Sequence, residues 1–213
     1  MIITPALLNT TFEDFARDVK KVEGLFSYAQ IDVMDGEFVP NTSFTEIEKI
    51  NTLESSLKWE LHLMVAHPIA ELAKWSDVKN IFRIIFHTES SDDPASAIAW
   101  ARERQLEVGV ALNPETPLEK ISEYKEQLNV VQFMTVHPGR QGNPFLPGVL
   151  EKIKAFTNVA DRAFCSVDGA VTSANIASLQ AAGVDIANVG SALMKAADTE
   201  QAHTELLTAL KKA

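Results

Sequence analysis

The stretch AQIDVMDGEFVPN, Ala29 to Asn41, decides how the rest of the chain is read. It begins as the kind of short apolar run that forms a buried strand, yet it carries Asp32 and Asp35. A carboxylate buried without a partner costs several kcal/mol. Strand side chains alternate, so Gln30, Asp32 and Met34 share one face while Ile31 and Val33 share the other. The aliphatic face suits a layer of helices. The polar face needs another polar surface opposite it, and the inside of a closed barrel supplies one.

Outward from Ala29 the chain alternates apolar runs with longer amphipathic segments. The runs are IITPALL, SYAQIDVM, KWELHLMV, IFRIIFHT, LEVGVALN, VVQFMTV, AFCSVDG and DIANVGSA. Between them, FEDFARDVKKVEG and PASAIAWARERQ place apolar residues at helical spacing. Asp93-Pro94 and Asn113-Pro114 stand where helices or their approach loops begin, and Gly24 and Gly183 follow helical stretches as C-terminal caps do. About eight strand–helix units result, the number that closes a (β/α)8 barrel. An open doubly wound sheet would leave two edge strands, and none of these runs reads as an edge. The expected fold is an α/β TIM barrel, one domain over residues 1–213.

Composition agrees with such a domain. The 213 residues are 46% hydrophobic, enough for a sizeable core. A net charge of −10 argues against nucleic acid as a partner. No apolar run is long enough to span a bilayer, and MIITPALLNTTFEDF lacks the pattern of a secretory signal, so no membrane association is expected. One cysteine, Cys165, excludes an internal disulfide and fits a reducing cytoplasm. The acidic balance does not exclude an anionic substrate, because backbone amides bind phosphate without side-chain charge.

The same alternation orients the other runs. Glu60, His62 and Met64 share a face, as do Gln132, Met134 and Val136, and as do Ser166 and Asp168. These faces point into the barrel. Asp32, His62 and Asp168 lie near the C-terminal ends of their strands, where barrel active sites are built. A satisfied polar core layer would explain one lone histidine. Two aspartates, a histidine and three methionines on matching faces point to function. Facing carboxylates raise each other's pKa unless a cation intervenes. The arrangement therefore binds a divalent metal or keeps one aspartate protonated, and both suit proton transfer. His87 ends the fourth run and reads as structural; His137 is out of phase with Met134; His67 and His203 read as surface residues.

Three strand-to-helix loops are glycine-bearing: HPGRQGNPF with Gly139, Arg140, Gln141 and Gly142; DGAVT with Gly169 and Ala170; and VGSALM with Gly190 and Ser191. Glycine lets backbone approach an anion, and barrels often hold phosphate after strands seven and eight. A phosphate site explains several such loops in succession better than plain turns do.

DVMDGEFVPN, ELHLMV, VALNPETPLE, MTVHPGRQGNPF, SVDGAV and VGSALM occur in the order found in ribulose-phosphate 3-epimerases, and nearly the whole chain resembles that family. The resemblance implies a barrel that interconverts ribulose 5-phosphate and xylulose 5-phosphate through an enediolate. It makes Asp32 the proton acceptor and Asp168 the donor, with roles exchanged in reverse. It implies a divalent ion (zinc, iron, manganese or cobalt) on Asp32, His62, Asp168 and the position of Gln30. It also implies that Met34, Met64 and Met134 crowd the intermediate, that Asn9 and His62 contact substrate, and that Gly139 to Gly142, Asp168 to Ala170, Gly190 and Ser191 hold phosphate. Family members usually self-associate, so a homo-oligomer is expected; Trp75 or Trp100 would serve an interface or face the barrel from an outer helix.

The chain departs from the family within the site. Gln30 stands where the family has its first metal histidine, Asn9 where it has a serine, Gln141 and Ala170 where it has glycines, and Glu37 where it often has a histidine. A glutamine carbonyl ligates zinc or iron less well than imidazole does. Three outcomes stay open: a harder ion such as Mn²⁺ or Mg²⁺, a metal-free route using amide donors, or phosphosugar binding without catalysis. An epimerase of a six-carbon ketose phosphate would share most of these motifs.

Overall fold

Both faces of the sheet are buried, and they are buried against different partners. The computed structural model describes residues 1–139, 142–159 and 162–211. Its strands are β1 (Ile2–Leu7), β2 (Tyr28–Met34), β3 (Lys58–Met64), β4 (Ile81–His87), β5 (Glu107–Leu112), β6 (Val130–Met134), β7 (Phe164–Asp168) and β8 (Ile186–Val189). All are parallel and pair in sequence order, and β8 returns to β1, so the ring of eight closes as expected.

Around it lie α1 (Phe12–Val22), α2 (Pro68–Lys74), α3 (Pro94–Glu103), α4 (Val149–Thr157), α5 (Ile176–Ala181), α6 (Ser191–Met194) and α7 (Thr199–Lys211). The outward residues Ile31, Val33, Leu61, Leu63, Ile84 and Phe86 are at most 3% exposed and share one continuous core with Phe15, Val19, Leu72, Trp75 and Ile98 of the helices. At about 1.5–3 kcal/mol for each large apolar side chain buried, this layer dominates the stabilisation of the barrel. Trp75 is buried and donates its indole N–H to Glu71 at 3.1 Å, so it belongs to that layer and not to an exposed face.

The inside of the ring holds a small apolar plug of Ile85, Ala111, Val130, Met134 and Ile186. Gly109 faces the same space. A Cβ there would lie 2.2 Å from a methyl of Val130 and 2.9 Å from its carbonyl oxygen, so only glycine fits. A polar layer adjoins the plug: Asn188 donates to Gln132 at 2.8 Å and to Ser166 at 3.1 Å. At the N-terminal end of the ring, Arg83 donates to Glu60 at 2.6 Å and to Glu107 at 2.8 Å.

Local signals begin the helices where the sequence suggested. Thr11 caps α1 by accepting the Asp14 N–H at 3.2 Å, and Asp93 caps α3 by accepting the Ala95 N–H at 3.2 Å, with Pro94 at the first helical position. Two crossovers depart from the strand–helix expectation. After β2 the chain makes a 3₁₀ helix, Ile47–Thr52, and after β5 two more, Leu118–Ile121 and Lys125–Gln127. Thr52 donates its hydroxyl to the Lys49 carbonyl at 2.6 Å and so competes with the α ladder; Pro117 brings no N–H to the second crossover. No helix among the described residues is long and apolar enough to cross a membrane.

Candidate active site

The register of β2 and β3 sets Asp32 beside His62 and Met34 beside Met64; that of β6 and β7 sets Met134 beside Asp168. Ring closure then brings β2 and β7 together across the mouth. His62 Nδ1 lies 3.0 Å from Asp32 Oδ1 and 3.1 Å from Asp168 Oδ2. Gln30 reaches up from the same face of β2, and its Nε2 donates to Asp32 Oδ1 at 2.9 Å and to Asp168 Oδ2 at 2.7 Å. The expected convergence of these side chains from separate strands is realised.

All four are buried, and burial sets the electrostatics. Loss of water pushes the Asp32 carboxyl up to about 6, and the charge of Asp168 adds to the push. Burial opposes charge on His62, yet its hydrogen bonds to Asp168 and Asp32 and their negative charge outweigh that and raise it to about 10. His62 therefore sits as an imidazolium between two acids. Its other nitrogen, Nε2, lies 3.0 Å from Nε2 of His87, which burial pushes down to about 4.

Above the acids opens a cleft. Asp32, Met64, Met134, Gly139, Gly142, Asp168, Gly169, Ala170, Gly190 and Ser191 all line it, so most of the side chains and loops singled out in the sequence meet there. Met34 lies behind Met64, packed with Leu8, Phe38 and Val39. Two loop contacts shape the rim. Val39 packs so close to Gly139 that a Cβ there would come within 2.7 Å, and Asn41 donates to the Gly139 carbonyl at 2.6 Å. Gly169, with φ of 119°, leaves room for Val136, whose methyl would meet a Cβ at 2.6 Å. Ala170 follows with φ of 49°, a left-handed conformation carried by a residue with a Cβ. Arg140 and Gln141 lie outside the described residues.

Asn9 is corrected by the structure. Its side chain turns away from the cleft and donates to Asp18 of α1 at 2.9 Å. Ala6 and Leu8, one step out of phase with it, line the cleft instead. The signal was available: alternation from Thr4 puts Ala6 and Leu8 inside and leaves Asn9 outside. His87 was legible in the same way, since Arg83, Ile85 and His87 share the inward phase of β4. Asp35 stays out of the chemistry. Its carboxylate accepts the backbone N–H groups of Glu37, Phe38 and Ala66, at 2.9, 2.9 and 2.6 Å, and so ties the turn after β2 to the end of β3. His137 is exposed, 3.6 Å from Glu115.

The model of the ribulose-phosphate 3 epimerase family matches residues 2–194. The chain belongs to the ribulose-phosphate 3-epimerase family. It is 32% identical to ribulose-phosphate 3-epimerase 1 of Cupriavidus necator, over 99% of this chain and 91% of that protein. Its identity to the ribulose-phosphate 3-epimerase of Bacillus subtilis is 31%, over 96% of this chain and 97% of that one. Among solved structures it resembles a 3-hexulose-6-phosphate synthase, with a TM-score of 0.74 at 20% identity over 99% and 100% of the two chains. It also resembles the 3-keto-L-gulonate-6-phosphate decarboxylase of Vibrio cholerae, with a TM-score of 0.73 at 13% identity over 100% and 97%. At such identities these two structures speak to the fold alone.

Ribulose-phosphate 3-epimerases are metal-dependent in general, and the residues present fit an ion. Asp32, His62 and Asp168 each offer one ligand atom, all within 4.8 Å of one another. Gln30 fits with its amide turned. As placed, its nitrogen faces the carboxylates, and its Oε1 is buried with no hydrogen-bond partner among the described residues. Turning the amide would bring that oxygen to the same point and complete a set of two carboxylates, one imidazole and one carbonyl.

Proposed function

We propose that the chain is a ketose-phosphate 3-epimerase that interconverts D-ribulose 5-phosphate and D-xylulose 5-phosphate by proton transfer at C3. One observation carries the reading: two buried acids, from strands distant in sequence, converge at the floor of a cleft whose wall is glycine-bearing backbone. In the forward direction Asp32, as carboxylate, takes the C3 proton from one face of the sugar. The electron pair left on carbon moves into the C2 carbonyl, giving the enediolate. Asp168, as carboxylic acid, returns a proton to C3 from the other face. One acid ends protonated and the other ionised, and the reverse reaction exchanges them.

The raised pKa of Asp32 suits a group that must both accept and release a proton near neutrality. The developing charge is usually where most catalytic stabilisation is spent. His62 and the Gln30 amide hold the two acids in place from behind, and a divalent ion held by Asp32, His62, Asp168 and the turned amide would supply positive charge there when bound. Met64 and Met134 present apolar surface that keeps water from the intermediate. The phosphate is assigned to the backbone amides of Gly142, Gly169, Ala170, Gly190 and Ser191 along the cleft wall.

The test is conversion of ribulose 5-phosphate in D₂O by wild type, Asp32→Asn and Asp168→Asn, each with added Mn²⁺, Mg²⁺ or Zn²⁺ and after chelation. Wild type is expected to form xylulose 5-phosphate with deuterium at C3. Each variant is expected to lose on the order of 10³-fold or more in kcat. A wild type that never exceeds the variants under any metal rejects the enzyme reading. A panel that includes allulose 6-phosphate checks the sugar length.

A further inference from the structure

Behind the two acids runs a chain of side chains that never touches the cleft. His87 closes β4, is 1% exposed, and lies with its ring 4.8 Å from that of Phe38. Its Nε2 is 3.0 Å from His62 Nε2, and its Nδ1 is 3.3 Å from Glu89 Oε2. The other oxygen of Glu89 accepts the Asn113 N–H at 3.0 Å and the Thr116 hydroxyl. That loop is gripped from its other side by Lys152 of α4, which donates to the carbonyls of Asn113, Pro114 and Thr116 at 2.8, 2.9 and 2.8 Å. The far end of the chain is thus a fixed point.

Two imidazole nitrogens 3.0 Å apart share one proton, and in isolation either ring could carry it. Glu89 removes the ambiguity. An ionised carboxylate only accepts, so the nitrogen of His87 that faces it, Nδ1, must carry hydrogen. A neutral His87 then has only a lone pair at Nε2, and His62 must donate from its own Nε2. That leaves His62 Nδ1 as the atom turned to Asp32 and Asp168, whether it bears a proton or a cation. A carboxylate that orients a histidine, which orients a ligand or catalytic histidine, is a device whose removal costs about 10–100-fold in activity or metal affinity.

We infer that His87, held by Glu89, is a positioning residue: it accepts the Nε2–H of His62 and fixes that ring's orientation, so that Nδ1 is always the nitrogen presented to the acids. The kinetic consequence rests on the epimerase reading; the hydrogen bond does not.

The test has two arms, on wild type, His87→Phe, His87→Gln and Glu89→Ala. In the first, protein labelled with ¹⁵N-histidine is treated with chelator, and the His62 side chain, assigned by its absence in His62→Gln, is read by ¹H–¹⁵N correlation. Wild type is expected to show a slowly exchanging Nε2–H. His87→Phe is expected to lose that protection, Glu89→Ala to weaken it because the His87 ring is no longer held, and His87→Gln to keep most of the bond, because its amide oxygen accepts near the lost nitrogen. In the second arm, kcat is expected to fall about 10–100-fold in His87→Phe with KM nearly unchanged, and to recover in part in His87→Gln. The inference is overturned if wild-type His62 carries its only proton on Nδ1, or if its Nε2–H is equally protected in folded His87→Phe or Glu89→Ala. Should His87→Phe fail to fold, Glu89→Ala and His87→Gln decide the question. A wild type without turnover would reject the epimerase reading and leave the first arm to judge this one.

Discussion

Gln30 uses one nitrogen to tie both acids, at 2.9 and 2.7 Å, and keeps its oxygen buried and unpartnered. A buried carbonyl without a donor carries a desolvation cost of about 1–3 kcal/mol. An ion that drew the oxygen inward would recover part of that cost while removing two hydrogen bonds, so the amide weakens metal binding relative to an imidazole. Gln30→His is expected to bind Zn²⁺ more tightly than wild type, as read by titration calorimetry of chelator-treated protein; equal or weaker binding would contradict this account of the site. Asp32 yields a pH prediction. Its pKa is raised to about 6, and the base must be ionised to work, so kcat/KM is expected to level above pH 6 and to fall about tenfold per unit below it. A profile flat down to pH 4 would remove Asp32 from the role of base.

At the scale of elements, two backbone positions separate what the sequence shows from what only packing decides. Ala170 stands at φ of 49°, where a Cβ is strained. Ala170→Gly is expected to raise stability by up to about 1 kcal/mol in denaturant unfolding, since relief of the left-handed strain exceeds the entropy glycine adds. Gly109 is the opposite case. Gly109→Ala forces a methyl into Val130 and is expected to cost about 1–3 kcal/mol, read as a lowered midpoint in urea. The strands and their facing were legible because period-two alternation survives even where polar residues replace apolar ones, as in Gln30–Asp32–Met34. The phase of β1 was harder to read, because Pro5 and the run Leu7-Leu8-Asn9 blur polarity just where the strand ends. The two 3₁₀ crossovers were not legible, since Ile47 and Ile50 or Leu118 and Ile121 bury as well on a tight turn as on an α-helix. The inward phase of His87 on β4 was legible, but its contact with His62 depends on how β3 and β4 pack side by side.

At the scale of the whole molecule, the buried charges matter collectively. His62 has a folded pKa near 10 against an ordinary 6.5, so its contribution to stability is complete below about pH 6.5 and is lost as pH rises through about 10. Chelator-treated wild type is therefore expected to melt at lower temperature as pH climbs from 7 to 10, and His62→Gln to show a smaller change; parallel curves would mean that the imidazolium is not held as the geometry implies. The fold as a whole was readable because its outer faces are nearly uniform in Ile, Val, Leu and Phe. The site was readable because its acids interrupt the inner ones.

The distance in sequence between the site's halves carries a kinetic consequence. Gln30 and Asp168 are 138 residues apart, and they meet only across the seam where β8 joins β1. Such a contact closes a large loop, which is entropically slow to form. During refolding from urea, helix content recovered from far-UV ellipticity should precede the return of turnover, because partial assemblies of consecutive strands hold one acid without the other. Catalysis would then serve as a clock for the last act of assembly, and destabilising changes along the β1–β8 seam would delay that act while leaving the early helical signal untouched.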